Sequence, residues 1–324
     1  MKKCCFIIPY FGKLPNYFPL FLKSCEKNRE YNWLIFTDDL ENYRYPNNVT
    51  KIFMQFDKMI EIIEDKFQFK TNITSPHKLC DFKPAYGFLF EEYITEYEFW
   101  GFCDVDVIFG NLDDFLTDNL LEKYDKFFTL GHLTIFRNEK QNNRIFMNDI
   151  KGEYWYRDSF TKIDTTVFDE TFGGQKNVNN IFKYYNKRVL EEDWSMNSLI
   201  APANFVKTTY NAKTNSFVNE KYKKALYVWQ DGKIIRYFIK NKKLMQEEFM
   251  YMHFQSRPMK MDKTCINCTS FKILGNSFTT LENENIDIES YKKEKKTILS
   301  LRYIKTNLNW KINGIIRRVK GLIK

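Results

Sequence analysis

The chain opens on Cys4-Cys5-Phe6-Ile7-Ile8, an unbroken apolar run closed by Pro9. Such a run predicts a strand covered on both faces, with Pro9-Tyr10-Phe11-Gly12 as the loop that follows. Phe18, Phe21, Leu22 and Cys25 recur at a helical period and predict a helix over 18–27. Trp33-Leu34-Ile35-Phe36 predicts a second buried strand running into Thr37-Asp38-Asp39, and Val49–Met54 a third, weaker one. Strand, helix, strand in this order predicts a parallel sheet, and ligands of such sheets sit beyond the carboxyl ends of the strands. The longest apolar run, Phe99-Trp100-Gly101-Phe102-Cys103, ends in Asp104-Val105-Asp106.

Further along, helices are expected over Met59–Phe67, from Pro84 to Tyr93, through Leu116, Leu120 and Leu121 behind an Asn111 or Asp113 cap, and over Val178–Tyr185. Phe127–Leu130 and Thr134–Asn138 predict short strands. Tyr227–Ile235 predicts a hairpin turning at Asp231-Gly232. Phe249–Gln255 reads as extended and carries His253. No internal repeat is evident.

Composition changes little in this picture. The 324 residues are 44% hydrophobic and 28% charged, which suits a globular α/β chain rather than a disordered one. Seven cysteines, scattered and odd in number, do not form a disulfide framework and suggest a reducing compartment. Cys265-Ile-Asn-Cys268 lacks the second pair that a zinc site needs. The first apolar segment is too short for a signal peptide, and nothing approaches the length of a membrane span.

Charge does add something. The formal net charge is +9, but residues 292–324 hold eleven Lys or Arg against Glu294 alone, which leaves the remainder close to −1. In the same stretch Leu301, Ile304, Leu308, Ile312, Ile315, Val319 and Leu322 recur every three or four residues. A basic amphipathic helix of this kind predicts a peripheral anchor on an anionic membrane surface. An apolar stripe argues against nucleic acid as the partner. The expected organisation is one domain over 1–260, a polar, lysine-rich linker over 261–296, and the basic helix over 297–324.

The chemistry concentrates at Asp104 and Asp106. Residues two apart on an extended chain project the same way. Two adjacent carboxylates repel unless a cation or a shared proton intervenes, and a hard divalent ion such as Mn²⁺ or Mg²⁺ is the natural occupant. His253 becomes a third ligand if the fold brings it there, since imidazole suits manganese-like ions. Upstream, Lys83 can reach a phosphate and Asp81 a sugar hydroxyl, or the two form a surface ion pair. Asp169-Glu170-Thr171-Phe172-Gly173-Gly174 makes an acidic, glycine-rich loop.

Five pieces, taken in order over about 1–258, resemble the GT-A glycosyltransferases, and more narrowly a group of bacterial polysaccharide-biosynthesis transferases. They are Phe6-Ile7-Ile8-Pro9-Tyr10-Phe11-Gly12, Lys78-Leu79-Cys80-Asp81-Phe82-Lys83-Pro84, Gly101-Phe102-Cys103-Asp104-Val105-Asp106, Gly131-His132 and His253-Phe254. The resemblance implies an α/β, GT-A-like (Rossmann-like) fold, a mixed and mostly parallel sheet flanked by helices. It implies a metal-dependent hexosyltransferase that uses a nucleotide-diphosphate sugar in cell-surface polysaccharide biosynthesis, and the tail adds the expectation that the acceptor is a saccharide or lipid-linked saccharide. The free thiols, the short first apolar segment and the basic tail, rather than the resemblance, lead to the expectation of a cytoplasmic protein peripherally associated with a membrane. Pro9, Tyr10, Phe11, Gly12, Thr37, Asp38 and Asp39 would contact base and ribose, and Asp81 and Lys83 would lie along the donor. Asp104 would lie near ribose and metal, Asp106 would ligate the metal directly, and His253 would complete the site. Asp169 and Glu170 are the candidates for a general base if the reaction inverts configuration. Two other classes fit the same acids: another metal-dependent nucleotidyl or phosphate enzyme, and a non-catalytic saccharide-binding protein with the same fold.

Overall fold

The structure, a computed structural model, describes residues 2–172, 174–199, 204–221 and 224–295. The first elements are β1 (Lys2–Pro9), α1 (Phe18–Glu26), β2 (Tyr31–Thr37), β3 (Val49–Phe53) and α2 (Phe56–Phe67). A long 3-10 stretch at Pro76–Ala85 leads to β4 (Tyr97–Cys103), β5 (Val107–Phe109), β6 (Lys126–Phe127), β7 (Leu133–Arg137) and β8 (Val189–Leu190). Then come β9 (Ser195–Asn197), β10 (Thr208–Asn211), β11 (Ser216–Asn219), β12 (Ala225–Gln230), β13 (Lys233–Lys240) and β14 (Lys243–Phe249). The last strands are β15 (Tyr251–His253), β16 (Lys260–Met261), β17 (Ser270–Leu274) and β18 (Ser277–Thr280), followed by a helix at Ile288–Glu294.

The main sheet has the order β3-β2-β1-β4-β7-β6-β8. Its first four strands are parallel. β4 with β7, and β7 with β6, are antiparallel, because a connection as short as that between β6 and β7 cannot cross over to a parallel neighbour. A second sheet, β14-β13-β12-β17-β18-β16, is antiparallel except at β16. β6 and β8 are parallel again, so the chain is α/β with a mixed main sheet whose antiparallel pairs are the two made by β7, while the second sheet departs from the mostly parallel expectation.

Both faces of the parallel half are covered, as its apolar runs require. Cys4, Phe6, Ile8, Trp33, Ile35, Phe99 and Cys103 pack into one core with α1. The alternate residues Cys5, Ile7, Leu34, Phe36, Trp100 and Phe102 pack into the other with α2. The Asp231-Gly232 turn is present, with both residues at positive φ, as a two-residue hairpin of this kind needs.

Several expectations are corrected. The helix behind Asn111 or Asp113 shrinks to Asp118–Leu121, because Asp113 is held by Lys3 and Tyr31 instead of capping. The strand expected at Phe127–Leu130 stops after Phe127, where Phe128 takes a positive φ of 67°. The run from Pro84 to Tyr93 is broken into Tyr86–Leu89 and Glu91–Tyr93. The supposed linker 261–296 is folded through Lys295: β17 pairs with β12, and Cys265, Phe271, Ile273 and Phe278 enter the main core. Its polar composition hid this, since a strand commits only alternate residues to a core. The basic helix expected at 297–324 lies outside the described residues. Among the described residues no helix is long and apolar enough to cross a membrane.

Candidate metal centre and its cavity

β4 ends at Cys103, and the chain leaves the main sheet through Asp104-Val105-Asp106. Val105 is buried in the core and pins the bend. β5 then joins a separate three-stranded sheet, β5-β15-β9. Its register sets His253 opposite Val107 on one side and opposite Asn197 on the other. The Phe254 amide continues the ladder by donating to the Asp106 carbonyl at 3.0 Å. A backbone ladder thus fixes a histidine 147 positions away beside the two acids.

His253 Nε2 lies 3.4 Å from Asp106 Oδ1 and 3.7 Å from Asp104 Oδ2. One ligand atom from each of the three residues falls within 4.8 Å of the others. Two carboxylates and an imidazole converging this closely fit a manganese-like divalent ion. The Nδ1 of His253 is 3.1 Å from Asn197 Oδ1, so an N–H there leaves Nε2 bare for a cation. Gln255 Nε2 donates to the same Asn197 oxygen at 2.9 Å and fixes the amide. The second Asp106 oxygen accepts from the Ser256 amide.

The charges are mutually adjusted. Burial works against the charged form of His253, but Asp106 and Asp104 outweigh it and raise the imidazole above the ordinary histidine value. Burial likewise opposes ionised Asp106, yet His253, the Ser256 amide and Lys83 hold its carboxyl below the usual aspartate value. Lys83 donates to Asp104 Oδ1 at 2.7 Å and to the Gly131 carbonyl at 2.8 Å, and stands 3.7 Å from Asp169. His132 was not anticipated as a site residue. Its ring lies 4.4 Å from that of His253, and its Nδ1 meets the Tyr251 hydroxyl at 2.7 Å. Burial, then His253 and Lys83, push its imidazole well below the ordinary value, which keeps it neutral. Gly131-His132 was the available signal, since a histidine in the loop entering β7 sits at the same sheet rim.

These groups open into a cavity of about 1050 Å³. Pro9, Tyr10 and Phe11 line it, as do Lys83, Asp104, Asp106, Glu170 and His253. The remaining predicted residues are elsewhere. Gly12, at φ 99°, has its amide held by Asp38, while Asp39 holds the Leu14 amide and Thr37 the Asp39 amide. These residues staple the Tyr10–Leu14 loop from behind instead of facing the cavity. Asp81 is fully buried: it accepts from Lys78 at 2.7 Å and from the amides of Thr166 and Phe168. Its contact with a sugar is thereby replaced by a structural role. Asp169 is buried behind Lys83, and burial raises its carboxyl well above the usual range. Glu170 reaches the cavity, and burial raises its carboxyl as well.

Fold and site together define an α/β protein with two carboxylates and one histidine that could hold a metal ion beyond the carboxyl end of a central strand. Residues 6–282 match a family described as a family of unknown function (DUF6625), and the chain belongs to it. No curated protein matches the sequence. Among solved structures it is similar to the galactosyltransferase LgtC in complex with donor and acceptor sugar analogs, at 12% identity over 60% of this chain and 75% of that one, with a TM-score of 0.34. It is also similar to a glycosyltransferase involved in the glycosylation of the major capsid of PBCV-1, at 11% identity over 61% of this chain and 86% of that one, with a TM-score of 0.35. Superpositions this loose leave the activity to be argued from the site itself.

Proposed function

We propose that this protein is a metal-dependent glycosyltransferase with a GT-A-like fold. In this reading it transfers a hexose from a nucleotide-diphosphate sugar to a saccharide or lipid-linked saccharide, in cell-surface polysaccharide biosynthesis. The observation that carries the proposal is the convergence of Asp104, Asp106 and His253 on one point in a large, aromatic-lined cavity. A bound Mn²⁺ or Mg²⁺ would supply charge neutralisation for a diphosphate leaving group. The chain's own residues account for the rest. Half-buried Tyr10 offers a ring face at the end of β1, where a base and ribose can lie, while Phe11 is packed on Phe56 beneath it. Lys83 adds a buried positive charge beside the acids, close to where charge develops on the leaving group. Glu170, with its raised carboxyl, is suited to take a proton from an acceptor hydroxyl.

Thermal shift with UDP or GDP plus Mn²⁺, followed by assay of nucleotide-sugar turnover, tests this reading. Release of nucleoside diphosphate and transfer of the sugar are expected. Release of pyrophosphate would instead indicate nucleotidyl transfer. No shift with any nucleotide would favour a non-catalytic saccharide-binding role.

The sequence of 297–324 supports a cytoplasmic, membrane-peripheral location. Co-sedimentation with anionic vesicles, with and without these residues, tests it. Equal partitioning of the two proteins would rule it out.

A further inference from the structure

Two aromatic rings line the cavity apart from the cation ligands, one exposed and one half-buried. Phe172, two residues beyond Glu170, is 51% exposed, and Phe217 projects from β11; both line the same cavity as the cation site. Their centroids are 5.1 Å apart with planes at 66°. Phe217 rests on Tyr210 at 5.5 Å, and Tyr210 is itself buried, its hydroxyl donating to Asn215. Phe217 is therefore backed by a buried ring. An exposed phenylalanine such as Phe172, beside the half-buried Phe217, is costly to leave in water and marks a surface that a ligand covers.

The platform is also tied to the centre. β10 and β11 form a ribbon of their own, paired among the described residues with no other strand. The ribbon is anchored through a Ser198–Lys207 bridge, one residue beyond Asn197. Asn197 is the residue that fixes His253. Whatever sits on the rings is thereby held in register with the cation site.

The surroundings decide the ligand class. Glu170, Asn197 and Gln255 line the cavity with the two rings. Apolar faces beside amides and a carboxylate suit a pyranose, which presents a C–H face to a ring and hydroxyls to polar groups. Two rings at 66° cannot both lie parallel to one flat base, so they do not make a nucleobase sandwich. We propose that Phe172 and Phe217 are the stacking platform for a sugar ring of the acceptor and select which saccharide is glycosylated. This rests on the glycosyltransferase reading.

The test uses the full chain with Mn²⁺, a panel of UDP- and GDP-hexoses, and mono- and disaccharides of glucose, galactose and N-acetylglucosamine as acceptors. Phe172→Ala with Phe217→Ala is expected to raise the acceptor KM tenfold or more. The donor KM and the acceptor-free hydrolysis of the donor should stay within twofold of the parent, and Phe217→Tyr should restore the acceptor KM. An unchanged acceptor KM overturns the platform. A raised donor KM in the double variant overturns it in favour of a nucleobase contact. A parent protein that hydrolyses its donor but transfers to no saccharide of the panel also overturns it, while leaving a nucleotide-sugar enzyme standing. A parent protein that neither binds nucleotide with Mn²⁺ nor releases nucleoside diphosphate sinks the glycosyltransferase reading itself.

Discussion

The Lys83 ammonium donates a 2.7 Å hydrogen bond to one oxygen of Asp104, whose other oxygen faces His253 at 3.7 Å. One carboxylate is thereby shared between a permanent cation and the candidate metal site. Lys83 is nearly buried and lies beside Asp169 as well, so it offsets much of the repulsion among the acids when no metal is bound.

The sharing gives two effects of opposite sign for Lys83→Met. Removing the fixed charge leaves half-buried Asp104 and buried Asp169 without their counter-ion, and the metal-free protein should lose about 1–3 kcal/mol of stability. The site becomes more negative, so Mn²⁺ should bind severalfold more tightly. Denaturant unfolding and Mn²⁺ titration of the same variant read both effects. Weaker Mn²⁺ binding would mean that Lys83 orients Asp104 more than it competes for it.

Asn197 holds His253 by the ring nitrogen that faces away from the acids. Partners of this sort typically contribute about 10–100-fold in metal affinity. Asn197→Ala should weaken Mn²⁺ binding within that range, and Asp106→Asn at least as much, with the circular dichroism of both unchanged. Paramagnetic resonance of free Mn²⁺ measures the loss directly.

The pH dependence of binding follows from His253. Asp106 and Asp104 favour its imidazolium and raise its pKa, so a proton competes with the cation for Nε2. Mn²⁺ affinity should be full above the raised pKa and fall about tenfold per pH unit below it. In the metal-free protein the same shift works the other way. A raised folded pKa stabilises the fold in acid, and that contribution disappears as pH climbs through it. Affinity that is flat from pH 5 to 8 would remove His253 from the ligand set.

Asp81 distinguishes a donor contact from a buried support. Asp81→Ala leaves the buried Lys78 ammonium with two carbonyl acceptors but no counter-charge, and strips two backbone amides of their acceptor, so a loss of about 3–5 kcal/mol is expected. Nucleotide affinity in the surviving folded fraction should be unchanged. A stable variant with weakened nucleotide binding would return Asp81 to the donor.

Gly131 has no room for a side chain: a Cβ would fall 2.3 Å from the Asp169 carboxylate and 2.6 Å from that of Glu170. Gly131→Ala should displace these acids, cost about 1–3 kcal/mol, and depress any turnover that depends on Glu170. Wild-type unfolding and wild-type turnover in this variant would show that the loop yields freely.

The sequence by itself determined the parts whose cause is local. Short apolar runs rich in aromatic and β-branched residues and bounded by polar turns suit strands covered on two faces, and β1, β2 and β4 are such runs. Acids directly after such a run fall at the sheet's rim by chain geometry alone, which is why Asp104 and Asp106 were legible. Tertiary structure decided what depends on partners far away in the chain. The β5–β15 register brings His253 to the acids, and β9 brings Asn197 to His253; neither pairing leaves a mark on local periodicity. The same holds for Asp81 and for 261–295. A buried carboxylate bonded to amides and a strand half-committed to a core carry the same letters as a solvated acid and a polar linker. Only the neighbours that remove them from water tell the two apart.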